Sequence, residues 1–144
     1  MGQHTPGTIL IVDDEPSILR VLTAVLRRQG YLVTTTANGA LAWECLHRQS
    51  FDGILCDLRM PELDGPACYR LVHRHAPALA ARVMFLTGDT VSATSMAFLR
   101  ASGQPWVYKP FAASAVLRML AEVLHTAQAR VLHERGTRTR LRAG

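Results

Sequence analysis

The sequence predicts an α/β domain built on one doubly wound parallel sheet of strand order 2-1-3-4-5. Three observations carry this expectation. Short apolar or β-branched runs recur at Ile9–Val12, Tyr31–Thr36, Ile54–Cys56, Val83–Leu86 and Trp106–Tyr108. Each is followed by a segment of helical periodicity, which makes a βα unit repeated five times. The first and third runs both end abruptly in acids, at Asp13-Asp14-Glu15 and at Asp57, with a proline close behind each. In a 2-1-3-4-5 sheet the first and third strands are neighbours, so those acids share one crevice.

Each element has a local cause. Pro16 can open the first helix at its first position. Ile18, Val21, Leu22, Val25 and Leu26 repeat along one face, and Gly30 is a natural stop. Tyr31–Thr36 is rich in aromatic and β-branched residues and reads as a strand. Asn38-Gly39 makes a turn, and Gly39, Ala42, Trp43 and Leu46 mark one face of a second helix, where Trp43 is expected to pack in the core. An unpaired carboxylate inside the third strand would cost several kcal/mol, so Asp57 is expected at its carboxyl end, facing a crevice. The loop Met60–Gly65 carries turn chemistry, and Pro66 starts a third helix through Cys68, Leu71 and Val72. His73 and His75 on that helix point to different sides and are expected at the surface. The fourth strand ends at Thr87-Gly88-Asp89. A helix of small residues, Ser92 to Ser102, has Met96 and Leu99 as its main apolar contacts and is closed by Gly103. The fifth strand ends at Lys109-Pro110-Phe111. A last helix runs from about Ala113, with Val116, Leu117, Leu120, Val123, Leu124 and Ala127 as its stripe.

A chain of 144 residues is one domain by length, with room for a true core. No apolar stretch approaches the roughly 20 residues that span a bilayer, and Met1–Thr8 lacks a signal-peptide core. A cytoplasmic protein without a membrane partner is therefore expected. Cys45, Cys56 and Cys68 have no metal-site spacing and read as free buried thiols. The net charge of +5 is uneven: Arg130–Gly144 holds five arginines against one glutamate. Lys109 is the only lysine among sixteen basic residues, which sets it apart from an interchangeable surface cation.

The unusual residues thus gather at strand carboxyl ends, where ligand sites of open α/β sheets form. Asp13, Asp14 and Asp57 would repel one another unless a cation joined them. An all-oxygen set at that charge density suits Mg²⁺, which keeps waters and favours phosphate partners. A carboxylate nucleophile, a divalent ion, the Thr87 hydroxyl and the Lys109 ammonium together describe phosphoryl transfer to Asp57.

These residues closely resemble the receiver domain of two-component response regulators, which has the flavodoxin-like (βα)5 fold. The resemblance rests on Ile9–Pro16 (ILIVDDEP), Cys56–Gly65 (CDLRMPELDG), Leu86-Thr87-Gly88 and Lys109-Pro110-Phe111, and covers about residues 8 to 125. It implies that Asp57 takes a phosphoryl group from a histidine kinase or phosphotransfer protein. It implies that Asp13, Asp14 and Asp57, with the backbone carbonyl of Arg59, hold Mg²⁺, Asp14 being a direct ligand. It further implies a cis Lys109-Pro110 bond and a switch made by Thr87 and an aromatic residue. That aromatic is usually Tyr or Phe and here is Trp106. Phosphorylation would rearrange the face made by the fourth helix, fifth strand and fifth helix. This face would control an unknown downstream protein, and a homodimer could form through it.

The resulting division is a tail over 1–7, the receiver over 8–126 and a basic extension over 127–144. Too few residues follow the match for an ordinary output domain, so a stand-alone receiver, or one cut from a hybrid histidine kinase, is expected. A phosphorylation-independent adaptor on the same fold is the alternative. An enzyme proper is not expected, because an aspartyl-phosphate hydrolase needs an acid two residues after the nucleophile, where Arg59 stands. The arginine-rich tail reads as a solvated helix end or, alternatively, as a contact for an acidic partner, a second protomer or nucleic acid. Nothing base-specific is present, so nucleic acid is not an expected partner. Arg59 and Asp89 are expected to face each other across the mouth of the site.

Overall fold

The computed structural model describes residues 7–88 and 92–125. Five parallel strands form one sheet in the order β2-β1-β3-β4-β5. In chain order the elements are β1 (Thr8–Val12), α1 (Pro16–Arg28), β2 (Leu32–Thr36), α2 (Gly39–Arg48), β3 (Gly53–Asp57), α3 (Gly65–His75), α4 (Pro77–Ala80), β4 (Val83–Thr87), α5 (Ala93–Ser102) and β5 (Trp106–Tyr108). A last helix, α6, occupies 113–125. The single turn α4 is not among the predicted elements. Pro77 does stop α3, but its fixed φ then opens a new turn, so the fourth and fifth helices of the predicted repeat are α5 and α6. The strand expected from Tyr31 begins at Leu32, with Tyr31 buried just before it.

The central strands alternate between two cores, because successive side chains of a strand face opposite ways. Leu10, Val12, Ile54, Cys56, Val83 and Phe85 meet residues of α2, α3, α4 and α5 on one side. Ile9, Ile11, Leu55, Met84 and Leu86 meet α1 and α6 on the other. Burial on both faces explains why these runs are continuously apolar rather than alternating. Each such Leu or Ile contributes roughly 1.5–3 kcal/mol of transfer free energy. On the α5 side an aromatic cluster joins Tyr69, Phe85 and Phe98, with ring centroids 5.4–5.9 Å apart.

Helix starts follow the sequence signals. Asn38, Asp64 and Ser92 cap α2, α3 and α5 through side-chain oxygens that accept from Leu41, Ala67 and Ser95 N–H groups. Gly103 closes α5 in the left-handed region at φ 69°. Gly65 has a different reason to be glycine: a Cβ there would lie 2.7 Å from the Asp57 carbonyl oxygen and 2.8 Å from the Leu58 Cα. The start of α3 therefore rests directly on the end of β3.

Two expectations about side chains need correction. Trp43 is only half-buried, and it lies against His47 and His75 rather than within the core. Helical spacing fixes which residues share its face, but that end of α2 borders an open space between α2, α3 and α4. Cys45 is likewise half-buried, whereas Cys56 and Cys68 are buried, and all three are free thiols. His73 and His75 are exposed, as expected.

Candidate functional site

The strands deliver the acids to one edge. β1 pairs with β3 through Val12↔Cys56, so the residues that follow each, Asp13 and Asp57, emerge side by side. Asp13 is fully buried and its backbone N–H donates to the Thr36 carbonyl, which holds the turn to β2. One carboxylate oxygen of Asp13 accepts from Glu15 N–H at 2.9 Å, an Asx-type turn that swings Asp14 outward to the exposed rim. Ligand oxygens of Asp13, Asp14 and Asp57 all lie within 4.8 Å of one another.

The opposite wall comes from β4 and β5. Asp57 is in register with Leu86, and Thr87, 1 % exposed, ends β4 next to it. The Lys109 N–H donates to the Thr87 carbonyl at 2.8 Å, which ties the end of β5 to the end of β4. The Lys109-Pro110 bond is cis, as expected. The Lys109 ammonium sits 2.7 Å from Asp13 Oδ2, 3.1 Å from Glu15 Oε1 and 3.4 Å from Asp57 Oδ2. Glu15 was absent from the expected site; the run of three acids was its only signal, and a long exposed side chain gives no hint of its direction. The cleft above these groups is lined by Asp14, Glu15, Asp57, Arg59, Gly88 and Lys109 and encloses about 350 Å³.

Electrostatics follow from this crowding. Burial and the neighbouring Asp13 carboxylate push the Asp57 carboxyl up to about 6, against the pull of Lys109 and of the Arg59 N–H that donates to it. Burial raises Asp13 as well, despite Lys109. Lys109 is raised, because its carboxylate partners outweigh its burial. Protonation of a crowded acid relieves the repulsion, and so would a hard cation. The donor set fits such a cation: every side-chain ligand is an oxygen, and among the described residues the buried Asp13 Oδ2 has no partner besides the Lys109 ammonium.

The remaining sequence-derived residues divide cleanly. Arg59 lines the cleft, and its backbone N–H donates to Asp57. Trp106 is half-buried, pairs in register with Phe85 and packs on the core beneath α5, one strand away from Thr87. Asp89, the expected partner of Arg59, lies outside the described residues, as does the whole basic extension over 127–144.

Comparison with known proteins gives a consistent picture. A family model described as the response regulator receiver domain matches residues 9–121. The probable transcriptional regulatory protein TcrX of Mycobacterium tuberculosis is 31% identical over 119 residues, which cover 83% of this chain and 50% of that protein. The transcriptional regulatory protein ZraR of Escherichia coli is 35% identical over 107 residues, 74% of this chain and 24% of its own. The chain thus spans half or less of these relatives. Among solved structures, the chemotaxis response regulator CheY4 of Vibrio cholerae superposes with a TM-score of 0.72 at 30% identity, covering 81% of this chain and 97% of that one. A CheY-like receiver domain of Methanospirillum hungatei reaches 0.79 at 24% identity over 85% of this chain and 97% of that one, a likeness of fold.

Proposed function

Since this chain belongs to the receiver domain family of two-component response regulators, we propose that Asp57 is its phosphoacceptor and Asp13, Asp14 and the Arg59 carbonyl its Mg²⁺ ligands beside Asp57. The observation that carries the reading is the gathering of three carboxylates within 4.8 Å with an ammonium 3.4 Å from Asp57. The phosphodonor is a phosphohistidine of a kinase or phosphotransfer protein. An Asp57 oxygen attacks phosphorus as the N–P bond breaks, and the leaving imidazole takes up a proton. Bound Mg²⁺ supplies charge neutralisation for the phosphoryl oxygens.

The chain's own groups do the rest. Asp57 sits at a strand end, fixed by the β3–β4 ladder, so its attacking oxygen is oriented before the donor arrives. Lys109 needs only a small swing from Asp57 to reach a phosphoryl oxygen on it. The Thr87 hydroxyl donates to another, and that movement frees the space into which Trp106 turns. The α5–β5–α6 face then changes and controls a downstream protein, or a second copy of the chain. The domain acts as a signalling switch in the cytoplasm rather than as an enzyme with its own substrate.

The test is incubation with acetyl phosphate and Mg²⁺ followed by intact-mass measurement. One phosphoryl group should be gained, and none in EDTA or in Asp57→Asn. Phosphorylation that survives in Asp57→Asn overturns the assignment.

A further inference from the structure

On the opposite edge of the sheet from Asp57, α2, α3 and α4 enclose a cavity of about 460 Å³. Phe51 and Arg82 precede β3 and β4, so the cavity lies a full strand length from the acids, roughly 15–20 Å. That volume is within the range of small-molecule sites.

Its lining is mixed in a particular way. Phe51, Leu79 and the half-buried Trp43 supply apolar and aromatic walls. His47 and His75 flank the indole at centroid distances of 4.6 and 5.0 Å. His47 Nδ1–H donates to the Trp43 carbonyl at 2.8 Å, which fixes that ring against the indole edge. Among the described residues no carboxylate lines the cavity. Asp52, the acid beside Phe51, is turned away and accepts from Thr8 N–H at 2.7 Å. The one permanent charge that the described residues bring to the wall is the Arg82 guanidinium. Among the described residues it makes no ion pair, and its Nε is buried without a hydrogen-bond partner.

We infer that this cavity is a binding site for a small aromatic anion, its ring held against Trp43 and Phe51 and its acid group on Arg82. Only Nε of this half-buried residue is sealed from solvent; the terminal nitrogens have no protein acceptor among the described residues, and a carboxylate or sulfonate in the cavity supplies one. Nearby imidazoles favour the same charge when protonated and oppose none of it when neutral. The planar walls select a flat body over a branched one.

The probe is 1-anilinonaphthalene-8-sulfonate, with its neutral twin N-phenyl-1-naphthylamine, which lacks only the sulfonate. Trp106→Phe leaves Trp43 as the sole indole, so energy transfer from it to the probe reports binding, and the Arg82→Gln comparison locates it. The sulfonate should bind saturably at one site, and at least about tenfold more tightly than the neutral twin, as one charge-assisted hydrogen bond implies. Arg82→Gln should erase that difference while leaving the neutral probe unchanged. Equal binding of the two probes in unaltered Arg82 protein overturns the inference without any need of the variant. So does retention of the tenfold preference in a folded Arg82→Gln chain.

Discussion

Replacing Asp57 by Asn should stabilise the metal-free protein at neutral pH. The side chain is nearly isosteric, so the change mainly removes a charge. Asp57 is raised from 3.8 to about 6 by burial and by Asp13. Below about pH 4 the carboxyl is protonated whether the chain is folded or not, and it costs nothing. Between about 4 and 6 the unfolded chain releases its proton first, so stability falls as pH rises. Above 6 the full penalty is present. The rise from 3.8 to about 6 corresponds to about 3 kcal/mol as a ceiling. That ceiling is already net of the attraction of Lys109 at 3.4 Å, because the raised value of about 6 includes it. Urea unfolding in EDTA at pH 7.5 should therefore show a higher midpoint for Asp57→Asn with an unchanged slope, and the advantage should shrink by pH 5. Mg²⁺ should stabilise the unsubstituted protein and reverse the order, by mass action on the native state. A variant that is no more stable than its parent in EDTA at pH 7.5 would refute the reasoning.

Two other outcomes follow from specific contacts. Gly65→Ala places a methyl group 2.7 Å from the Asp57 carbonyl oxygen; backbone must move, which should cost about 1–3 kcal/mol in chemical denaturation and slow phosphorylation by acetyl phosphate. Lys109→Arg should keep Mg²⁺ binding but blunt the response to beryllofluoride, since a planar fork cannot take the place of a compact ammonium among three carboxylates; the check is Trp106 fluorescence in a Trp43→Phe background, where a full-sized response would show that charge alone suffices.

Much of this architecture is legible from particular residues. Continuous apolar runs such as Ile9–Val12 require burial on both faces, and that requirement implies a parallel sheet with helices on either side. A buried run that stops at Asp13 or Asp57 implies a crevice, because a carboxylate has no place in the core. Lys109 stood out by being the only lysine. What escaped the sequence was of another kind. The turn Pro77–Ala80 is too short for any periodicity to register. Helical spacing grouped Trp43 with core residues, yet nothing local records how far α3 extends over α2. The contact of Glu15 with Lys109, 94 residues apart, depends on rotamers of two long side chains. The cavity is assembled from Trp43, Phe51, His75 and Arg82, which no motif connects.

The isolation of Lys109 has a practical consequence. A chain whose fifteen other basic side chains are all arginine carries a single side-chain amine. That amine is 12 % exposed and held among three carboxylates, which keep it protonated. Acylating reagents attack only the unprotonated form, so the native protein shields its one reactive lysine, and unfolding releases it. The rate of acylation at this position is thus a chemical clock for the opening of the site, readable by mass alone and without any engineered label.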